Sequence, residues 1–259
     1  DSMAAVAGNG TAMAAVAANA LLMHAITNSE TAMRAIANSQ TAMHAIANSE
    51  TAMQRIANST TAMDAIGGSK IARDVVQASP YYDAKIKEND MAIAKLVVGF
   101  ANLESARYSG CAGMAADSTA MTAVAASSTA MTAVAASSTA MTAVAASATA
   151  MGKIAAVDAA LSKLAASTTA MDALYARKKQ MKGGSASKSG KFIILEISQS
   201  NAFNTSKYGY ATLSDGSKPD WSSYLAKYAF FQKYPKYATY MLNDTDSDDY
   251  IYYFDIASP

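Results

Sequence analysis

The residues most able to do chemistry lie near the C-terminus. Asp244-Thr-Asp246-Ser-Asp248 has the alternate-carboxylate spacing of a calcium loop, with Ile251 at position eight and Asp255 at position twelve. Position six, however, is Asp249 instead of the glycine a sharp turn needs, and position twelve is Asp rather than Glu. The departures favour an exposed acidic turn, with calcium at Asp244, Asp246, Asp248 and Asp255 as the alternative. Glu196, Asp215, Asp220 and Asp255 could supply the two carboxylates of glycoside hydrolysis, but nothing in their spacing singles out a pair. Trp221, Tyr208 and Tyr210 offer aromatic faces that stack on sugar rings; aromatics of a small domain are usually core, and Trp221, following Pro219-Asp220 and outside the strands, is the candidate for an exposed platform. His24 and His44 both occupy a variable polar position of a repeat, which places them on a solvent face; a ring of three around an ion in a trimer is the other reading. There is no glycine-rich phosphate loop after a strand, and the C-terminal region has no histidine. No catalytic constellation emerges, and an enzyme is not expected.

Composition narrows the partners. The formal net charge is +1, and the only basic run is Arg177, Lys178, Lys179 and Lys182, so neither nucleic acid nor an anionic membrane surface is an expected partner. The single Cys111 excludes an intrachain disulfide framework and reads as a small buried side chain. No apolar run approaches the length of a membrane span, so no membrane insertion is expected. Trp221, ten of the 14 Tyr and five of the 6 Phe follow residue 190, so large core side chains are concentrated there.

The elements that carry these residues begin with a ten-residue repeat. Met recurs at 3, 13, 23, 33, 43, 53 and 63, each followed three residues on by Val or Ile, in units reading Thr-Ala-Met-x-Ala-Ile-Ala-Asn-Ser-x. The pattern returns at Met121, Met131, Met141, Met151, Leu161 and Met171. Thr119 lies 58 residues after Thr61, so the two arrays are out of phase. Apolar positions 2, 3, 6 and 7 share a helical face, yet ten residues turn a helix through about 1000°, roughly 80° short of three turns. One continuous helix would carry its Met–Ile pair off any partner within two units. Asn or Gly at position 8 predicts a left-handed helix end, and Ser at position 9 an N-cap. Each decad is therefore two capped helical turns followed by a reversal.

Such a unit cannot stand alone. Burying two large side chains returns about 1.5–3 kcal/mol each, against roughly 10–20 kcal/mol to order ten residues. Neighbouring repeats and neighbouring chains must share the core, which favours an intertwined homotrimer. The TAMxAIANS and TAMxAVAAS arrays resemble repeats in tail-fibre-like proteins of tailed phages and prophages, where interspersed segments open on Ser-Pro, as Ser79-Pro80-Tyr81-Tyr82 does here. The resemblance covers about residues 1–175. It implies a fibre shaft, commonly trimeric, that contacts other tail proteins and resides in the extracellular tail of a virion.

The expected fold is mostly α: an elongated repeat shaft of short capped helices with a small α+β aromatic-rich C-terminal domain. Its parts are a decapeptide-repeat shaft over 1–78, a helical insertion packed as a local knob over 79–118, a second repeat shaft over 119–182, a Gly/Ser linker over 183–190 and a tip domain over 191–259. Within the tip, strands are expected at Lys191–Ile197, Tyr208–Leu213 and Tyr250–Ile256, and a helix over Ser222–Tyr234. A host-surface glycan is the expected ligand of Trp221, Tyr208 and Tyr210. A bacterial stalk adhesin and an ice-binding solenoid are the competing readings.

Overall fold

The computed structural model describes residues 2–198, 208–221, 225–244 and 249–259. The chain divides into two compact units, Asp1–Ala143 and Val144–Pro259. It is mostly helical, with an antiparallel sheet near the C-terminus.

Unit 1 opens with eight helices, one per decad: α1 (Ser2–Ala7), α2 (Gly10–Ala18), α3 (Ala20–Thr27), α4 (Glu30–Ala37), α5 (Gln40–Ala47), α6 (Glu50–Ala57), α7 (Thr60–Gly68) and α8 (Lys70–Gln77). Caps fix their starts. Ser29, Ser39, Ser49, Ser59 and Ser69 are extended, and each side chain accepts from the backbone N–H three residues on. Asn9 and Asn19 do the same for α2 and α3. The helix ends differ from the left-handed residues expected at position 8. Asn28 and Asn38 remain right-handed, with φ near −92°, and the extended serine after them makes the bend. Asn tolerates both conformations, so its presence alone does not choose between them. The bend is 100° between α2 and α3.

Three bends of this size bring the chain round, so that each helix lies against the third one before it: α4 on α1, α5 on α2, and so on to α8 on α5. The cap serines join these layers. Ser39 Oγ donates to the Ala7 carbonyl at 2.6 Å, Ser49 to Ala17 at 2.7 Å, and Ser59, Ser69 and Ser79 to Thr27, Ala37 and Ala47 at 2.6 Å. One hydroxyl thus caps its own helix and satisfies the last turn of another. The apolar face then closes on itself: Ala42, Met43, Ile46 and Ala47 are buried, as are their counterparts in α6. In the first layer Met13, Ala17 and Met23 are buried while Val6, Val16 and Ile26 stay half-exposed. Positions 3 and 7 therefore face the following layer, and positions 2 and 6 the preceding one. Neighbouring repeats thus share their core, through successive turns of the chain.

The segment after Ser79 keeps this arrangement with different residues. It contains α9 (Tyr82–Lys85), α10 (Asp90–Phe100), a 3-10 turn at Ser105–Arg107 and α11 (Cys111–Ala116), followed by α12 (Ser118–Ala126), α13 (Ser128–Ala136) and α14 (Ser138–Ala145). The expected knob is instead a member of the stack, since α10 packs on both α7 and α13. Glycine lets α10 and the 3-10 turn approach α7: a Cβ on Gly99 would lie 2.5 Å from the Gly67 carbonyl oxygen, and one on Gly67 3.1 Å from the Lys95 carbonyl oxygen and 2.6 Å from Ser105 Oγ. Lys95, 1% exposed, is held by Asp64 at 2.5 Å and by the Ser105 carbonyl at 3.1 Å. The two-residue slip between the arrays falls between the cap of α10, Asn89, and that of α12, Asp117. Glu88 supplies a second anion to a helix start: its carboxylate accepts from the N–H groups of Ser138 and Thr139 at 3.1 and 2.9 Å and from both hydroxyls.

Unit 2 contains α15 (Ala148–Ala155), α16 (Asp158–Ala165) and α17 (Thr168–Tyr175), then β1 (Lys179–Lys182), β2 (Ala186–Ser198), β3 (Tyr208–Leu213), β4 (Asp220–Trp221), α18 (Ala229–Lys233), β5 (Ala238–Asp244) and β6 (Tyr250–Asp255). The strands form one antiparallel sheet in the order β1-β6-β2-β5-β3-β4. The expected linker is absorbed into it: Gly183–Ser185 connects β1 to β2, and Ala186–Gly190 belongs to β2. Gly184 and Ser185 have φ of 90° and 67°, the left-handed geometry of a tight connection. Gly190 admits Phe192, whose ring would lie 2.3 Å from a Cβ there. An irregularity between Ser189 and Phe192 lets β2 pair β5 with its first half and β6 with its second. The sheet curls enough for Asn243 Nδ2 on β5 to donate to Met181 O on β1 at 3.3 Å. The strands expected at Lys191–Ile197, Tyr208–Leu213 and Tyr250–Ile256 are present, whereas the long helix over Ser222–Tyr234 contracts to α18. Tyr224, assigned to that helix, lies outside the described residues.

Two outcomes test this account. Ser59→Ala should destabilise by about 2 kcal/mol, about 1 from the cap and about 1 from the Thr27 carbonyl left without its donor. Gln54→Ala, on the exposed face, should stay within about 0.5 kcal/mol; equal effects on denaturant unfolding would remove the double role of the serine. Burial raises the Glu88 pKa, but its hydrogen bonds from Thr139 and Ser138 outweigh that and hold it below the ordinary carboxylate range. A folded pKa below the unfolded one gives stability that is present above the unfolded value and lost as pH falls through the folded one. Glu88→Gln should therefore lower the melting temperature at neutral pH and flatten its decline on acidification. An unchanged acid profile would overturn the assignment.

Candidate functional site

The alternation of β3 and β5 builds an outward face. Gly209, Ala211 and Leu213 point to the core, as do Ala238, Met241 and Asn243, while Tyr210, Thr212, Tyr240 and Leu242 are half-exposed. Register places Ser187, Leu242, Tyr210 and Asp220 in one row across β2, β5, β3 and β4, and Ser189, Tyr240 and Thr212 in the next. The Tyr210 and Tyr240 rings lie 5.7 Å apart, inclined by 37°. Exposed Ser187, Ser189 and Asp220 flank them. Two inclined phenol rings beside hydroxyls and one carboxylate offer apolar area and hydrogen-bonding groups on one surface, as a sugar ring requires.

Only part of the expected set lies there. Tyr210 does, and Tyr208 opens the same strand with its backbone opposite Asp244. Trp221 does not. It is 4% exposed, packed edge-on against Phe230 at 5.6 Å, and it belongs to the core with Phe192, Met241 and Ile251. A Cβ on residue 209 would lie 2.3 Å from its Nε1, so the ring lies directly over Gly209. Trp221 is a core residue, and its expected role as an exposed platform is withdrawn. The glycine between two tyrosines, opposite Trp221 in register, was the sequence signal for this packing. Tyr240 was missed because β5 was missed, although Ala238–Leu242 has strand-forming residues.

The two described carboxylates of the acidic segment's candidate calcium set, Asp244 and Asp255, have separate partners. Positions seven to twelve of the proposed motif are the strand β6, so Asp255 lies at its far end from Asp249, about 17 Å from Tyr250 at 3.3 Å per residue. There it faces Lys179 at 3.5 Å and accepts from the N–H groups of Ala257 and Ser258. Asp244 accepts from the Ser185 hydroxyl. Asp246 and Asp248 lie outside the described residues. Among the described residues no group of three His, Cys, Asp or Glu side chains could hold a metal. The remaining carboxylates are dispersed: Glu196 accepts from the Tyr175 hydroxyl at 2.5 Å, Asp215 from Ser217, and Asp220 is exposed. His24 and His44 are on the exposed side of their helices.

A second cluster escaped sequence reasoning because its members are far apart in the chain. Tyr175, at the end of α17, meets Tyr228 edge-on at 5.8 Å and Tyr252 at 6.4 Å. Lys178 and Lys227 lie over its ring, and Asp172 accepts from Lys227 at 3.1 Å and from the Tyr228 hydroxyl. Burial and then the bond to Glu196 push the Tyr175 phenol up to about 12. Hydrogen bonds from Tyr228 and Lys227 hold the Asp172 carboxyl below its ordinary value.

Neither the protein-family models nor the curated proteins contain a match to this chain. Burial decides the role of Trp221: Trp221→Ala should destabilise the sheet by about 3–5 kcal/mol, whereas Tyr240→Ser should cost about 1 kcal/mol or less. Thermal unfolding of the full chain checks both, and an unshifted melting curve for Trp221→Ala would return that residue to the surface.

Proposed function

We propose that this chain is a structural tail-fibre protein of a tailed phage, with a helical repeat shaft and a C-terminal sheet that binds a host-surface glycan. The observation that carries the binding role is the Tyr210–Tyr240 pair, set among Ser187, Ser189, Thr212 and Asp220 on one sheet face. The tyrosines stack on the apolar faces of a saccharide while the hydroxyls and Asp220 bond its ring oxygens and hydroxyls. The shaft role is supported by the decad arrays and their resemblance to tail-fibre repeats. In this reading the protein acts outside the cell, in the tail of a virion, without catalysis. Its partners are further copies in a homotrimer, other tail proteins and the glycan.

Binding of the purified chain to host cells and to a panel of bacterial surface glycans tests this. Replacing both Tyr210 and Tyr240 by Ser removes the two stacking surfaces, each worth about 1 kcal/mol or more, and should weaken binding at least about tenfold. The fold should persist by circular dichroism. Undiminished binding by the folded double variant would overturn the assignment of this face.

A further inference from the structure

The Tyr175 cluster has the geometry of a cation site whose cations are the protein's own. Lys227 Nζ lies 4.4 Å from the Tyr175 ring centroid and 4.5 Å from that of Tyr228. Lys178 Nζ lies 4.1 Å from the Tyr175 centroid and 5.8 Å from that of Tyr252. These distances fall within the range over which a cation is attracted to the ring quadrupole. Tyr228 stands at 88° and Tyr252 at 51° to Tyr175, and the two lysines occupy two positions, each shared by Tyr175 and one other ring. Asp172 adds a negative charge at the Lys227 position.

The rings are held in place. Tyr175 is fixed by Glu196, and the Tyr228 hydroxyl by Asp172. Tyr228 itself is in the left-handed region, with φ 71° and ψ −13°, which a bulky residue occupies at a local conformational cost. Lys227 is ion-paired to Asp172 at 3.1 Å, but both are exposed, and Lys178 and Lys227 carry their charge on long flexible stems.

We propose that Tyr175 and Tyr228, with Asp172, form an aromatic cage for a quaternary ammonium group of the choline type, occupied in this structure by Lys227. A quaternary ammonium has no N–H donors, so it gives up little hydration on entering the rings, whereas the primary ammonium of lysine is strongly hydrated. It displaces Lys227 into solvent, where a lysine head group is readily accommodated. This inference is independent of the glycan-binding face, which lies on other strands.

The full-length chain with ring-labelled tyrosine, titrated with tetramethylammonium or choline chloride against sodium chloride at equal ionic strength, reads the cage directly by NMR. Lys227→Ala removes the tethered competitor and should tighten choline binding by about tenfold. Adding Asp172→Asn should reverse most of that gain. Shifts confined to the resonances of Tyr175 and Tyr228 support the cage. Capture on phosphatidylcholine vesicles in addition identifies a lipid source, and binding of choline without vesicle capture a non-lipid one. If folded Lys227→Ala shows no choline-specific shift of these rings, or binds no better than the parent chain, the lysines are structural partners of the tyrosines and the cage is wrong.

Discussion

A two-turn helix cannot persist in water by itself, because nucleation fixes several dihedral angles for very few hydrogen bonds. Every feature of the repeat answers that constraint. The cap serine supplies an acceptor at the helix start, and its extended backbone sets the bend that brings the fourth helix back onto the first. The same hydroxyl then donates to the last turn of the helix before the one its own helix packs on, Ser39 of α5 to Ala7 of α1 and Ser49 of α6 to Ala17 of α2. A helix end that would have to be solvated is satisfied by the chain itself, and the Met and Ile side chains become buried between layers. The repeat length follows from this arrangement: about eight residues make two turns, and two more make the bend.

Much of this was legible in the residues. Period, caps and the buried positions 2, 3, 6 and 7 follow from which residue types recur where. The stacking offset did not follow, because it depends on the backbone at the bend. Asn38 permits a left-handed helix end, and that reading leaves the bend undetermined. The observed right-handed Asn followed by an extended Ser fixes it. The segment after Ser79 misled for a related reason. Its helix α10 lacks the decad pattern, yet Gly67, Gly99 and the buried Lys95–Asp64 pair seat it in the same stack. Close backbone approach substitutes there for matched side chains.

The C-terminal sheet was legible where β-branched and aromatic residues alternate and opaque where composition is ambiguous. Gly183–Gly190 has the composition of a flexible linker, but glycine also serves where a ring must pass close to the backbone, as Phe192 does at Gly190. Trp221 was read from its neighbours in sequence, Pro219 and Asp220, whereas its environment comes from Gly209 and Phe230. A large aromatic flanked by turn residues is not thereby exposed. Tyr210 fared better, since strand alternation around Gly209 and Ala211 puts it on the opposite side from the core.

With the linker absorbed into β2, the sheet joins the last helices without a hinge. Tyr175 ends α17 and packs on Tyr228 and Tyr252, while Lys236 is paired with Asp158 at the start of α16. The ends of the final repeats are therefore covered by the sheet, much as terminal units of repeat proteins are sealed by a different surface. This junction also supplies one wall of the Tyr175 cluster from a helix and the others from β6 and the turn at Tyr228.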